Sequence, residues 1–338
     1  MVKNLYKFFA AAAVYFAFAF YLYYPYLQDY KTAGLEQYFF IFNVCLASLG
    51  VYVLSRRWVA SFIGSFFAGA IYGFGPFILG LAKYHPIVVT LAAAIPWMFC
   101  PSAFGPKGRL RWLRTVLASL PFLVIFLFFQ LLEYRHFFPI PKQTRIHLED
   151  FLALVTPLVV AERSGTIISF YHFPIAALSI GFLMLLAARR FGVLAILCLS
   201  VTLGFCGPFL NICSIIWFAI FVLCCSVLIG AGVQGFIEAG FADCKWLLIN
   251  IVIMLIFLAI SLIGAVYSQD VIAGLGVKYA KLFIGAAKMY LAGAVAIGIL
   301  LFMVRAKLRL HWLREVIMCC LAGIDIFLGA TYIVDTIF

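Results

Sequence analysis

VASFIGSFFAGAIYGFGPFILGLAKYHPIVVTLAAAIPWMFCP, residues 59–101, decides how the rest of the chain is read. Its two apolar arms are interrupted by a Gly-Pro break (Gly73, Gly75, Pro76) and by a short polar hinge, Lys83-Tyr84-His85-Pro86. Backbone N–H and C=O groups find no water in hydrocarbon, so both arms must be helical wherever they face lipid. Helix breaks at that depth survive only inside protein or beside a water-filled cavity. The stretch therefore predicts a polytopic membrane protein with an irregular, protein-lined centre and a chamber opening away from the cytosol.

Working outward, the composition requires the same solvent. The 338 residues are 67% hydrophobic and 11% charged, with mean hydropathy +1.17, where an ordinary soluble domain carries about 25% charged residues. One soluble core cannot hide that much apolar surface. The net charge of +12 raises nucleic acid as a partner, but the basic residues sit in short clusters between apolar runs. That placement is the pattern of membrane topology signals, and no nucleic-acid partner is expected. Of the ten cysteines, nine lie in apolar segments and none forms a CxxC pair, so they read as small packing residues. Cys244, beside Lys245, carries lipidation as a second reading.

A span needs about 20 apolar residues. That length predicts an all-α fold of eleven spans in one domain, 1–338, at roughly 8–26, 38–55, 59–82, 86–103, 115–132, 171–188, 191–206, 212–231, 246–267, 282–304 and 316–334. Lys3 and Lys7 precede the first run, which ends in aromatic residues with no small-residue cleavage site, so it reads as an uncleaved helix. Alternating sides from a cytoplasmic N-terminus puts fifteen of the 24 Lys and Arg inside and eight outside, with Lys288 within a span. Trp58, Trp112, Trp246 and Trp312 fall at the inner boundary, where amphipathic rings anchor helices. Both markers predict an integral membrane protein with its N-terminus cytoplasmic and its C-terminus extracytoplasmic.

The longest hydrophilic stretch, about 133–170, is then extracytoplasmic. Leu148, Phe151, Leu152, Val155 and Val159 share one helical face within 146–160, which predicts a short interfacial helix. Small-residue seams are expected at Ala68-Gly69-Ala70 and Gly285-Ala286-Ala287. RLRWLRTVL at 109–117 echoes RLHWLREVI at 309–317. A parallel repeat is one reading; convergence of basic, Trp-bearing turns is the other.

Ionisable groups within a membrane are costly, so each is a functional candidate. Asp325 and Lys288 fall at similar depths in neighbouring spans, which predicts a buried ion pair. A transport path, a snorkelling lysine or a protonated acid are the alternatives. His85, at the hinge, is a candidate phosphate ligand or general base, against a simple bond to a loop carbonyl. Asp29 and Glu36 flank the first outer loop, with Glu133, Arg135, His136, Arg145, His147, Glu149, Asp150 and Arg163 in the second. Carboxylates there suit a general base or metal ligand, and arginines suit a phosphate clamp. Solvated loop charge explains the same residues. No Walker loop, HExxH, GxSxG or DxD occurs, and no metal site is read from spacing. The basic turns Lys107-Arg109-Arg111-Arg114 and Arg305-Lys307-Arg309-Arg314 read as anionic-lipid contacts.

Residues 38–101 resemble bacterial multi-spanning glycosyltransferases of the GT-C superfamily. The resemblance rests on Arg56-Arg57 ending one span, Ala68-Gly69-Ala70, the Tyr72-Gly73-Phe74-Gly75-Pro76 break, His85 and Pro96. It implies a GT-C-like fold in a bacterial inner membrane and transfer of a sugar from a polyprenyl-phosphate carrier on the outer face, sometimes with a divalent metal. Asp29, Glu36 and His85 would then be catalytic, and Arg135, His136, Arg145 and Arg163 would bind the substrate phosphate. The first outer loop, about residues 27–37, is short and no large C-terminal extracytoplasmic domain follows, which also fits a minimal or inactive relative. A non-catalytic subunit of a larger membrane complex, partnered by protein and lipid, is the alternative. A transporter with Lys288 and Asp325 in its path is the third.

Overall fold

The computed structural model describes residues 2–29, 36–59, 61–84, 86–104, 111–135, 152–155, 168–206, 212, 214–271, 276–308 and 310–337, with the side chains of some helix-end residues outside that description. Among them lie thirteen α-helices and no strand. They are α1 (Val2–Asp29), α2 (Glu36–Ser55), α3 (Phe62–Gly73), α4 (Pro76–Tyr84), α5 (Pro86–Phe104), α6 (Arg111–Arg135), α7 (Leu152–Val155), α8 (Phe173–Ala187), α9 (Phe191–Phe205), α10 (Ser214–Glu238), α11 (Cys244–Val271), α12 (Gly276–Arg305) and α13 (His311–Ile337). Among the described residues seven passages are long and apolar enough to cross a membrane, and the apolar helices of the other four expected spans are shorter. The protein is an all-α, polytopic membrane protein.

The break falls where the Gly-Pro pattern places it. Ser61 caps α3 by accepting the Gly64 N–H at 3.0 Å, a cap chemistry that fixes a helix start. At the far end Phe74 turns its N–H back to the Ala70 carbonyl. Pro76 then opens α4, where the missing N–H forfeits nothing. Together α3 and α4 form a single passage that is 83% buried, against 22% for α1. The broken passage is thus central, and protein rather than lipid surrounds its irregular backbone.

Three helices wrap it. On α2, Ser48 and the Val44 carbonyl occupy the space a side chain at Gly73 would need. The hydroxyl of Tyr15, on α1, donates to the Phe66 carbonyl at 2.6 Å. From α10, Gly230 lies against the Gly64 carbonyl and Ala68. The Ala68-Gly69-Ala70 seam therefore packs as expected, with Gly69 against Tyr15 and the Ser48 carbonyl. Two further glycine contacts, Gly232 on the Ala177 carbonyl and Gly181 on the Leu228 carbonyl, lock α10 to α8. Small residues let backbones approach where lipid supplies no hydrophobic drive. Helices α11 and α12 pack chiefly on each other as a hairpin at the side of this group. In the expected 146–160 helix only Leu152–Val155 is described. There Ala153 is buried and the Leu154 carbonyl takes a long bond, 3.5 Å, from the Tyr290 hydroxyl.

Two basic turns end in left-handed backbone. Arg189 has φ 49° and Lys307 φ 55°. The Leu308 N–H reaches the Met303 carbonyl at 2.9 Å and the Lys307 N–H the Val304 carbonyl at 3.1 Å. This is a Schellman end to α12, with Lys307 where glycine is usual. Lys307→Gly should therefore raise stability by about 0.5–1 kcal/mol, read as equilibrium unfolding in mixed micelles. A fall in stability would show that the charge at this helix end outweighs the strain.

Candidate functional site

Asp325 lies midway along α13 and is 1% exposed. Its Oδ2 accepts the backbone N–H of His172 at 2.9 Å and of Phe173 at 2.7 Å, while Oδ1 lies 2.8 Å from His172 Nδ1. His172 is the N-cap of α8 but offers no side-chain cap of its own. The carboxyl group of another helix does that work, at the positive end of the α8 dipole. Nδ1 facing a carboxylate oxygen assigns it the ring proton and leaves Nε2 as the acceptor. Buried Nε2 has no hydrogen-bond partner among the described residues. The ring of Tyr290 stands edge-on to the imidazole at 5.1 Å.

One residue earlier, Tyr171 adopts φ 65° and is fully buried. Its hydroxyl donates to the Phe74 carbonyl at the α3–α4 break. Gly329, one turn beyond Asp325, leaves the space that the Tyr171 ring fills. The break in the α3–α4 passage and the start of α8 therefore meet at one place and close each other. Tyr171 serves the carbonyl freed by the first, and Asp325 serves the amides opened by the second. The arrangement can hold α8, α13 and the broken passage in register, and it presents one buried imidazole nitrogen.

The expected ion pair of Lys288 with Asp325 does not form. Asp325 is engaged by His172, and Lys288 is exposed on α12. Matching depth fixes only one coordinate. Tyr290, two residues on, faces His172 and is buried, so Lys288 sits about 200° around the helix from the Asp325 side. His172 and Tyr171 escaped the sequence reading. Their signal was Pro174, which marks a helix start just after a polar residue in apolar text.

The basic turns hold a second correction. Arg314 is 5% exposed and gives Nη1 to the Ala239 carbonyl at 2.8 Å and Nη2 to the Leu308 carbonyl at 3.2 Å. It caps the end of α10 from α13 instead of reaching lipid. Arg57 does likewise for α5, with Nε 2.9 Å from the Ala103 carbonyl. Guanidinium groups at helix C-termini satisfy orphan carbonyls and complement the dipole.

Among the other candidates, His85, His136, Arg145 and Arg163 lie outside the described residues, and for Asp29, Glu36 and Arg135 only the backbone is described. Asp29 ends α1 and Glu36 opens α2, which packs along α1; Tyr84 ends α4 and Pro86 opens α5. A 2.7 Å bond from the Tyr26 hydroxyl to Asp335 Oδ1 ties the C-terminal part of α1 to the C-terminal part of α13. Beside it a cavity of about 490 Å³ opens between these two helices, lined by Phe20, Tyr21, Tyr24, Pro25, Thr331 and Asp335. Among the described residues no three His, Cys, Asp or Glu side chains converge on a metal position.

No known protein family, curated protein or solved structure matches the chain. The fold and the central cluster define its class: a polytopic, all-α membrane protein in which a helix break and a helix start close each other.

Proposed function

We propose that the chain is a GT-C-like membrane protein that transfers a sugar from a polyprenyl-phosphate carrier at the extracytoplasmic face of a bacterial inner membrane. In this reading the chain crosses eleven times with its N-terminus cytoplasmic, the four shorter apolar helices completing the set. The observation that carries the proposal is the aromatic cavity between α1 and α13, at the helix end where Asp29 closes α1. An isoprenoid chain suits such a wall, and Tyr26 and Asp335 mark its polar rim. Helix connectivity supports placing Glu36 and the end of α4 at the same end, because α1–α2 and α2–α3–α4 run as antiparallel passages packed side by side. Asp29 or Glu36 would then take the acceptor proton, with His85 and Arg135, His136, Arg145 and Arg163 near the phosphate.

The test uses the full chain in proteoliposomes with a photoreactive polyprenyl-phosphate hexose. Labelling should fall on residues 20–25 and 331–335 and be competed by unlabelled polyprenyl phosphate. Asp29→Asn or Glu36→Gln should keep the labelling and lower sugar turnover by about 10²–10⁴-fold, the range for loss of a general base. Labelling that a phosphate-free isoprenoid alcohol competes equally well, with no turnover by the unaltered chain, would remove the proposal.

A further inference from the structure

We infer that the exposed face of α12 around Lys288 is a docking surface for a transmembrane helix of another protein, one that carries a carboxylate at matching depth. Lys288 lies about 12 Å inside the apolar window Ala280–Arg305 and points away from the protein. Its neighbours on that face are Ile284, Gly285, Leu291, Ala292 and Val295, all exposed. A lysine cation among them is the one kind of residue a lipid-facing surface avoids. It has no ionic partner among the described residues, the carboxyl group at similar depth being sealed behind His172.

Gly285, one turn away on the same face, is a second feature that this chain's packing leaves unexplained, as it does Gly298 further along α12. A Cβ added there would meet nothing within 4 Å, so no packing inside this chain explains a glycine that costs a helix about 1 kcal/mol relative to alanine. Snorkelling towards the outer headgroups would account for the cation, but it does not account for the glycine. A partner helix accounts for both. Gly285 and Ala292 let its backbone close in above and below Lys288, and its carboxylate neutralises the ammonium group where water is scarce. A second copy of this chain does not fit. A two-fold contact on this face would set Lys288 against Lys288. The described acids with exposed side chains, Glu238, Asp243, Glu315 and Asp335, all lie near helix ends.

The probe is a synthetic single-span leucine-alanine helix carrying Asp, Leu or Lys a third of the way from its outer end. Association with the labelled full chain is read by energy transfer in proteoliposomes. The Asp helix should bind about five- to tenfold more tightly than the Leu helix. Lys288→Met should remove that advantage, Gly285→Leu should weaken it, and Lys288→Asp should transfer the preference to the Lys helix. The charge reversal guards against a variant that merely misfolds. Equal binding of the Asp and Leu helices to the unaltered chain, or a preference unchanged by Lys288→Asp, would overturn the inference and leave a snorkelling lysine. Copy-to-copy energy transfer lost on Lys288→Met would overturn the heterologous partner.

Discussion

Asp325→Ala should destabilise the protein by about 3 kcal/mol or more, because it strands three buried donors at once. The carboxyl group accepts two backbone N–H groups at the start of α8 and faces the His172 ring. Removal leaves a helix N-terminus in a protein interior with nothing to receive its amides. His172→Ala separates the two jobs the carboxyl performs. If capping dominates, His172→Ala should lose clearly less than Asp325→Ala, since both backbone bonds persist. If the side-chain pair dominates, the two variants should fall together, as partners of a broken buried ion pair do. Asp325→Asn belongs between them. Its Oδ1 can still take the backbone amides, while its NH₂ group forces the imidazole into the other tautomer and places an unpartnered N–H at Nε2. Equilibrium unfolding of the purified chain in mixed micelles ranks the three. Equal stability of Asp325→Ala and the unaltered protein would show that α8 is not held from α13.

That ranking also shows what the text of the chain could and could not disclose. Periodicity and length located the helical passages, since a run of some 20 apolar residues has few other fates. The Gly73–Pro76 break was legible for an equally local reason: Gly and Pro there deny the helix its backbone geometry. Partners across helices were not legible. Asp325 stood out as an acid in apolar text, but depth paired it with Lys288, because a span over 171–188 puts His172 at its very end and not at the depth of Asp325. The azimuth that separates them comes only from how α12 turns Tyr290 inward. Arg314 misled for a related reason. A basic turn signals the side of the membrane, and nothing in its spacing tells a guanidinium that meets headgroups from one folded back onto the Ala239 or Ala103 carbonyl.

The second large effect is expected at Gly232, where adding one methyl group should cost about 1–3 kcal/mol. Intrinsic propensity argues the other way, because alanine is favoured over glycine in a helix interior by about 1 kcal/mol. Packing must win for the sign to reverse. A Cβ at Gly232 would land on the Ala177 carbonyl, and the reciprocal contact sets Gly181 against the Leu228 carbonyl. Backbone oxygen cannot swing aside as a side-chain tip can, so α8 and α10 would have to part along their seam. Separation would also pull on the α8 start that Asp325 holds. Gly285→Ala supplies the control within the same protein: its added methyl meets open space, so propensity alone should act and stability should rise. Opposite signs for Gly232→Ala and Gly285→Ala would identify the α8–α10 seam as a contact this chain needs to fold, and the α12 face as one it leaves for something else. Matching signs would mean that the backbones at Gly232 are not as close as described, and with them would go the tight three-helix packing of α10 between α3 and α8.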